Sequence, residues 1–361
     1  MLIVVSLSAG CLDVASDRAR RDDGVGRAEA HGVALDVRDG LAAIREIDAT
    51  GASLWAGAPT LALSLRNRDA QPRRYTLTLD NILPDATLVA ATASGPIQPL
   101  LLERPKPKTA SWQIMLQPSS TVRAALRVHD TEQMGPWSFG VFGDVQRAVD
   151  AVEDIYRAMN RHPLRFVIIV GDLTSRGTRQ ELAFFQHKLD VLDVPCYATL
   201  GNHELITPSV PYHDYFGRGS SRFSFRGVQF VLLDTASGTV APGVYHWLDQ
   251  WLSNAATLPL RAVFAHIAPF EPAGIRGGSF NSHAEAARFV DRLARGRVDL
   301  TVYGHVHSYY AFQNGGIPAF ITGGGGAIPE RFDGVGRHFL RVDVEPRDRR
   351  LETTMLRVDG R

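Results

Sequence analysis

The spacing of apolar residues changes once along this chain, at Met134-Gly135-Pro136, and that change constrains the fold more than any other feature. Between about 31 and 135, short apolar stretches recur at Val33–Val37, Leu41–Ile47, Thr60–Arg66, Arg74–Asp80, Ala86–Ala91, Ser111–Leu116 and Thr121–Val128. Thr60-Leu61-Ala62-Leu63-Ser64-Leu65 and Tyr75-Thr76-Leu77-Thr78-Leu79 alternate with a period of two, as half-buried strands do. Turn formers such as Asn67-Arg68-Asp69 and Pro105-Lys106-Pro107-Lys108 separate them. Strands without helical periods predict an antiparallel β-sandwich. After the break, strands at Trp137–Phe142, Phe166–Val170, Pro195–Leu200, Phe230–Leu233, Ala262–Ala265 and Leu300–Tyr303 alternate with helical periods at Arg147–Met159, Arg179–Leu192, Val244–Asn254 and His283–Leu293. The end returns to strands at Ala319–Thr322, His338–Val344 and Leu351–Val358. Such alternation implies an α/β unit whose sheet is covered on both faces. The expected organisation is a leader and flexible tether over 1–30, an all-β sandwich over 31–135 and an α/β domain over 136–361.

Of the 361 residues 45% are hydrophobic, ample for two cores, and the formal net charge is +1 with no long run of either sign. Bulk electrostatic attraction to nucleic acid is thereby excluded, so no nucleic-acid partner is expected and phosphate recognition has to be local. The first eleven residues, MLIVVSLSAGC, carry an apolar run too short to span a bilayer. They read as the tail of a secretory signal. Ser8-Ala9-Gly10-Cys11 resembles a bacterial lipobox, with Ser8 where an aliphatic residue is usual. The expectation is an exported protein, either periplasmic, secreted or attached to a membrane through a lipid on Cys11. Residues 12–30 lack a sustained apolar period and read as a mobile tether. The other cysteine, Cys196, sits in Val194-Pro195-Cys196-Tyr197 and is expected as a buried core thiol.

Chemistry-bearing residues cluster just after the strands of the second unit, where α/β folds place ligands. In chain order these are Gly143-Asp144-Val145-Gln146, Gly171-Asp172, Gly201-Asn202-His203-Glu204, His266 and Gly304-His305-Val306-His307. A glycine before most of them lets the backbone turn sharply and approach closely. Carboxylate, amide oxygen and imidazole together suit borderline metals. One such fragment is weak evidence, whereas five in order at successive predicted strand ends point to a metal site.

At these residues the chain resembles the calcineurin-like metallophosphoesterases, whose pattern runs Asp-x-His, Gly-Asp, Gly-Asn-His-Glu/Asp, His, Gly-His-x-His. The resemblance covers about 137–330. Gly171-Asp172-Leu173-Thr174-Ser175-Arg176-Gly177 and Val231-Leu232-Leu233-Asp234-Thr235 look like the branch that contains bacterial cyclic-nucleotide phosphodiesterases. It implies a β-sandwich core flanked by helices in four layers, and two divalent or trivalent cations, with Mn, Fe or Zn favoured. By position, Asp144, Gln146, Asp172 and His307 hold the first metal. Asp172, Asn202, His266 and His305 hold the second, with Asp172 bridging. His203 protonates the leaving oxygen or stabilises phosphoryl charge, and a metal-bound hydroxide attacks a small phosphoester substrate. Gln146 replaces the family's histidine and implies a first site that is weaker or more selective for hard cations. Ser175 stands where purple acid phosphatases carry a tyrosine, so a tyrosinate–iron site is not implied.

Several features have two readings. Gly323-Gly324-Gly325-Gly326 lacks the Lys-Ser/Thr of a P-loop and reads as a loop packed near the site. Ser282 either caps a helix or belongs to a lid formed by Gly277–His283. Tyr309 and Tyr310 either wall the pocket or simply pack. Arg176 reads as a surface ion pair or a phosphate contact. The sandwich holds no cluster of ligand residues and reads as a structural or docking module of unknown partner. A phosphoric-ester hydrolase, mono- or diesterase, is the leading function. A catalytically weak scaffold on the same fold is the alternative, disfavoured because every ligand position holds a competent donor.

Overall fold

A computed structural model describes residues 15–255, 257–275 and 277–358. The lipobox-like Ser8–Cys11 and any lipid on Cys11 lie outside the described residues. The part of the expected tether that is described is ordered instead. Ala15–Gly24 forms helix α1, and Arg27–Ala30 forms strand β1. The reason is long-range. Arg18 is buried and paired with Asp234, and the buried Asp22 carboxylate accepts hydrogen bonds from the amides of Gly219 and Ser220, both at 2.8 Å.

The strands that follow are β2 (Val33–Val37), β3 (Ala42–Ile47), β4 (Gly51–Ala56), β5 (Leu61–Asn67), β6 (Arg73–Asp80), β7 (Thr87–Thr92), β8 (Gly95–Ile97), β9 (Leu100–Lys106), β10 (Thr109–Leu116) and β11 (Thr121–Arg127). They build two facing sheets, β1-β2-β5-β11-β7-β8 and β3-β4-β6-β10-β9. Every pairing is antiparallel except β4 with β6, which run parallel with Ala52 opposite Leu77. Leu63, Leu65, Val122 and Leu126 from one sheet meet Leu54, Leu77, Leu79 and Trp112 from the other in a common core. Of the turn predicted over Pro105–Lys108, the first half is the end of β9, an edge strand that tolerates the missing amide of Pro105.

The second unit contains β12 (Trp137–Phe142), α2 (Glu153–Met159), β13 (Leu164–Val170), α3 (Arg179–Lys188), β14 (Cys196–Thr199), α4 (Tyr212–Tyr215), β15 (Ser221–Phe225), β16 (Val228–Leu233), α5 (Pro242–Asn254), β17 (Leu260–Ala265), α6 (His283–Arg295), β18 (Leu300–Tyr303), β19 (Tyr309–Asn314), β20 (Ile317–Thr322), β21 (His338–Glu345) and β22 (Arg350–Arg357). They form a sheet ordered β14-β13-β12-β21-β22 and a second ordered β15-β16-β17-β18-β20-β19. β12, β13 and β14 run parallel, as do β16, β17, β18 and β20. The two sheets face each other across stacked and edge-on aromatics, with Phe166 and Phe230 ring centroids 5.2 Å apart. The outer face of the first sheet buries Phe142, Val167 and Ile169 against α2 and α3, and that of the second buries Val231 and Val263 against α5 and α6. The result is four layers, helix–sheet–sheet–helix. The helix expected over Arg147–Met159 is broken into a 3-10 turn at Gln146–Asp150 and α2, because Asp172 O draws the amides of Val145 and Gln146 toward the neighbouring strand end.

The two units are fastened together. The Asn81 amide donates to Ala56 O (2.7 Å) and Cys196 O (2.6 Å) and accepts from Cys196 N (3.0 Å). Arg165 on β13 bridges Asp85 at 2.7 Å and Asp130 at 2.8 Å. Cys196 itself is buried, and burial pushes its thiol up to about 12.

Candidate metal centre

Each parallel strand delivers its following residues to the same edge of its sheet, and the two edges meet. β12, β13 and β14 present Asp144, Gln146, Asp172, Asn202 and His203; β17 and β18 present His266, His305 and His307. Asp144 N donates to Gly171 O (3.1 Å), Gly304 N to His266 O (3.0 Å), and His305 N to the Asp144 carboxylate (3.0 Å), so the loops hold one another. Asp144, Gln146, Asp172 and His305 adopt left-handed φ values of 63°, 47°, 54° and 68°. Such conformations cost of order 1–3 kcal/mol each for non-glycine residues and concentrate at functional sites. Gly201 is required for space, since a Cβ there would lie 2.1 Å from Asp172 Oδ1. Gly171 is required for both reasons, with φ of +89° and a Cβ position 2.7 Å from His266 Nδ1.

The structure brings all eight sequence-predicted residues together. His266 Nε2 lies 3.3 Å from Asp172 Oδ1 and 3.0 Å from Asn202 Oδ1. His307 Nε2 lies 3.6 Å from Asp144 Oδ1, and His266 and His305 ring centroids are 5.1 Å apart. Ligand atoms of Asp144, Asp172 and His266 all fall within 4.8 Å of one another. His203 N donates to Asp172 Oδ1 at 2.9 Å, and its Nε2 stands 3.8 Å from Asp172 Oδ2.

Each imidazole is fixed through its other nitrogen. His266 Nδ1 donates to Val170 O (2.8 Å), His203 Nδ1 to Ser175 O (2.7 Å), His305 Nε2 to Gly277 O (3.0 Å) and His307 Nδ1 to Ile328 O (2.6 Å). A backbone carbonyl only accepts, so these nitrogens carry the protons, and in the neutral rings the remaining lone pairs are His266 Nε2, His305 Nδ1 and His307 Nε2. His266 Nε2 then faces two oxygens that also only accept. Among the described residues, histidines alone form ion pairs with Asp144 and Asp172. A second proton on His266 or a bound cation satisfies this arrangement, and imidazoles oriented by carbonyls are the usual support of metal ligands. Gln146 is the exception. Its Nε2 donates to Asp172 Oδ2 (2.9 Å) and His307 Nε2 (3.0 Å), so ligation by Oε1 requires the amide to turn through 180°.

Charge follows burial and neighbours. Burial pushes Asp144 up to about 6 against the pull of His266 and His307. Burial also opposes ionisation of Asp172, but His266 and His203 outweigh it and hold that carboxyl well below the usual range. Burial would lower His266, yet Asp172 and Asp144 raise it to about 9, while burial and the adjacent His266 lower His305 to about 4.

Sequence reasoning quoted Glu204 but gave it no task. It is fully buried and accepts from the amides of Gly201 (2.9 Å), Asp172 (3.0 Å) and Thr174 (3.0 Å), which ties two ligand loops together. Burial, then the charge of Asp172, push it up to about 8. Its only sequence signal was a carboxylate next to the strand-end motif. The tetraglycine does pack against the site, with Gly325 N donating to Gly143 O at 2.8 Å. Ser282 caps α6 through the Glu285 amide at 3.3 Å. Tyr309 packs on the central core and Tyr310 on the cluster beneath α5 and α6. Among the described residues Arg176 makes no ion pair; its backbone carbonyl accepts from Thr207 instead.

Residues 138–309 match the family of calcineurin-like phosphoesterases. That segment belongs to this family. Over 162 residues the chain is 26% identical to a 3',5'-cyclic-nucleotide phosphodiesterase of Nostoc sp., a match spanning 42% of this chain and 59% of the relative. The fold is similar to that of the purple acid phosphatase PPD1 from seeds of yellow lupin, Lupinus luteus, with a TM-score of 0.53 at 14% identity, covering 83% of this chain and 72% of that one. Coverage that wide takes in more than the phosphoesterase segment and extends into the N-terminal sandwich.

Proposed function

We propose that the chain hydrolyses phosphoric esters with two divalent or trivalent cations, Mn, Fe or Zn, bound in this centre. The carrying observation is the convergence of carbonyl-locked imidazoles on two buried carboxylates that no lysine or arginine among the described residues neutralises. Asp144, Gln146, Asp172 and His307 would hold the first cation. Asp172, Asn202, His266 and His305 would hold the second. When bound, such a pair lowers the pKa of water toward neutrality and offsets the charge of phosphoryl oxygens. His203, its Nδ1–H committed to Ser175 O and its side chain partly exposed, holds Nε2 3.8 Å from Asp172 Oδ2, from where a proton on it would pass to a leaving oxygen. Glu204 keeps the Asp172 loop in register. The Nostoc relative is named as a phosphodiesterase, which favours a diester substrate. The sandwich over 31–135 serves in this reading as a structural module, and export with Cys11 as membrane attachment belongs to the same proposal.

The test is a metal-reconstituted assay of bis-p-nitrophenyl phosphate against p-nitrophenyl phosphate, with Asp172→Ala as the inactive control. Turnover that depends on Asp172 and on added metal supports the proposal. No hydrolysis of either ester, with both metals bound, would favour the scaffold alternative.

A further inference from the structure

The loop from Gly323 to Arg337, between β20 and β21, is held to the ligand loops at several points. Ala327 N donates to Asp144 O (2.9 Å), Glu330 N to His307 O (3.1 Å), and Ile328 O accepts the His307 ring proton at 2.6 Å. Farther along, Ser308 Oγ donates to Asp333 Oδ1 (2.6 Å), whose carboxylate also accepts from Val335 and Gly336 amides. A loop fastened this way cannot fold over to bury its own apolar side chains. It nevertheless carries Ile328, 72% exposed, and Phe332, 55% exposed. Single exposed apolar residues are ordinary. Two on one loop that is anchored to His307 and Ser308 offer apolar surface beside an otherwise polar centre.

We propose that Ile328 and Phe332 form an apolar lip that receives the second organic group of a phosphodiester, the one retained on phosphorus. This rests on the hydrolase reading above. Because Ile328 O holds the His307 ring, the lip stands beside a ligand of the first cation, next to a substituent kept on phosphorus there. A phosphomonoester has no such substituent and would leave the lip bare. The recognised chemistry is therefore a diester whose retained group is flat and apolar on one face, an aryl ring or a nucleobase, rather than a small alkyl group.

The experiment pairs Ile328→Ser/Phe332→Ser with the unsubstituted protein, both metal-reconstituted and checked for equal metal content. Kinetically, bis-p-nitrophenyl phosphate is compared with methyl p-nitrophenyl phosphate, which share a leaving group and differ in the retained one. Calorimetry compares diphenylphosphinate with dimethylphosphinate, which need no turnover. The aryl-over-methyl ratio in kcat/KM and in Kd is expected to fall about tenfold in the double variant, the size expected from partial burial of one aromatic ring. An unchanged ratio in the calorimetry overturns the lip. Absence of turnover in the unsubstituted protein, with the calorimetric preference intact and lost in the variant, sinks the hydrolase reading alone.

Discussion

Arg18→Ala is expected to destabilise the whole protein, although Arg18 lies in a helix that reads as polar from end to end. Its guanidinium grips Asp234 with Nε–Oδ2 at 2.6 Å and Nη2–Oδ1 at 3.0 Å and also reaches Ser237 Oγ at 2.9 Å. The two side chains are 1% and 5% exposed. Removing the arginine leaves a buried carboxylate whose hydrogen bond from Ala236 N (3.0 Å) cannot replace the lost charge. Breaking a buried pair on one side costs about 3–5 kcal/mol. With an unfolding entropy of about 2.1 cal/mol/K per residue, this corresponds to a drop in Tm of about 4–7 °C for a cooperative chain of this length. The assay is differential scanning calorimetry of the full chain as Arg18→Ala, as Asp234→Asn and as the double variant. The double variant is expected to recover much of the loss, because no unpaired carboxylate remains. A Tm within 1 °C of the parent for Arg18→Ala, or strictly additive losses in the double variant, would refute the reasoning.

Four further outcomes are expected. His203→Ala lowers kcat roughly 10²–10⁴-fold while elemental analysis finds the metals retained; a small loss removes His203 as the acid. Gly201→Ala drives a Cβ toward Asp172 Oδ1 from a starting separation of 2.1 Å, so metal content measured by mass spectrometry collapses while the helical signal in circular dichroism persists. Gln146→His raises zinc occupancy of the first site relative to manganese, and equal, tight occupancy in both forms discards the idea that Gln146 selects hard cations. Burial works against the Asp85 carboxylate, but its bond to Arg165 prevails and holds its pKa below the usual value. The associated stability is full above the unfolded carboxylate value of about 3.9 and is lost as pH falls through the lower folded one. Urea titrations across that window should show acid weakening that Asp85→Asn largely abolishes.

Much of the site was legible because its signals are local. A mainly apolar strand followed by Gly-Asp or Gly-His can be read without knowing what it packs against, and both Asp172 and His305 follow such strands. What escaped depends on distant partners. The α1 segment, Ala15–Gly24, contains three arginines and three aspartates and looked like a tether; its burial is decided by Asp234, 216 positions away from Arg18. Strand β4, GASLWA, lacks bulky alternation and is stabilised by parallel pairing with β6. Glu204 resembles any surface carboxylate until three amides are seen to converge on it. The helix after β12 kept its apolar period but not its first turn, since the same residues also had to aim Gln146 at the metal centre.

The left-handed backbone at Asp144, Asp172 and His305 bears on how such a chain would change if its chemistry were no longer under selection. Aspartate and histidine are among the residue types that tolerate this conformation best, but glycine occupies it with less strain. A lineage released from the need for ligands would therefore drift at these three positions toward glycine first, gaining stability as it lost activity. Carboxylate or imidazole retained there, at a standing conformational penalty, marks descendants in which hydrolysis is still being maintained.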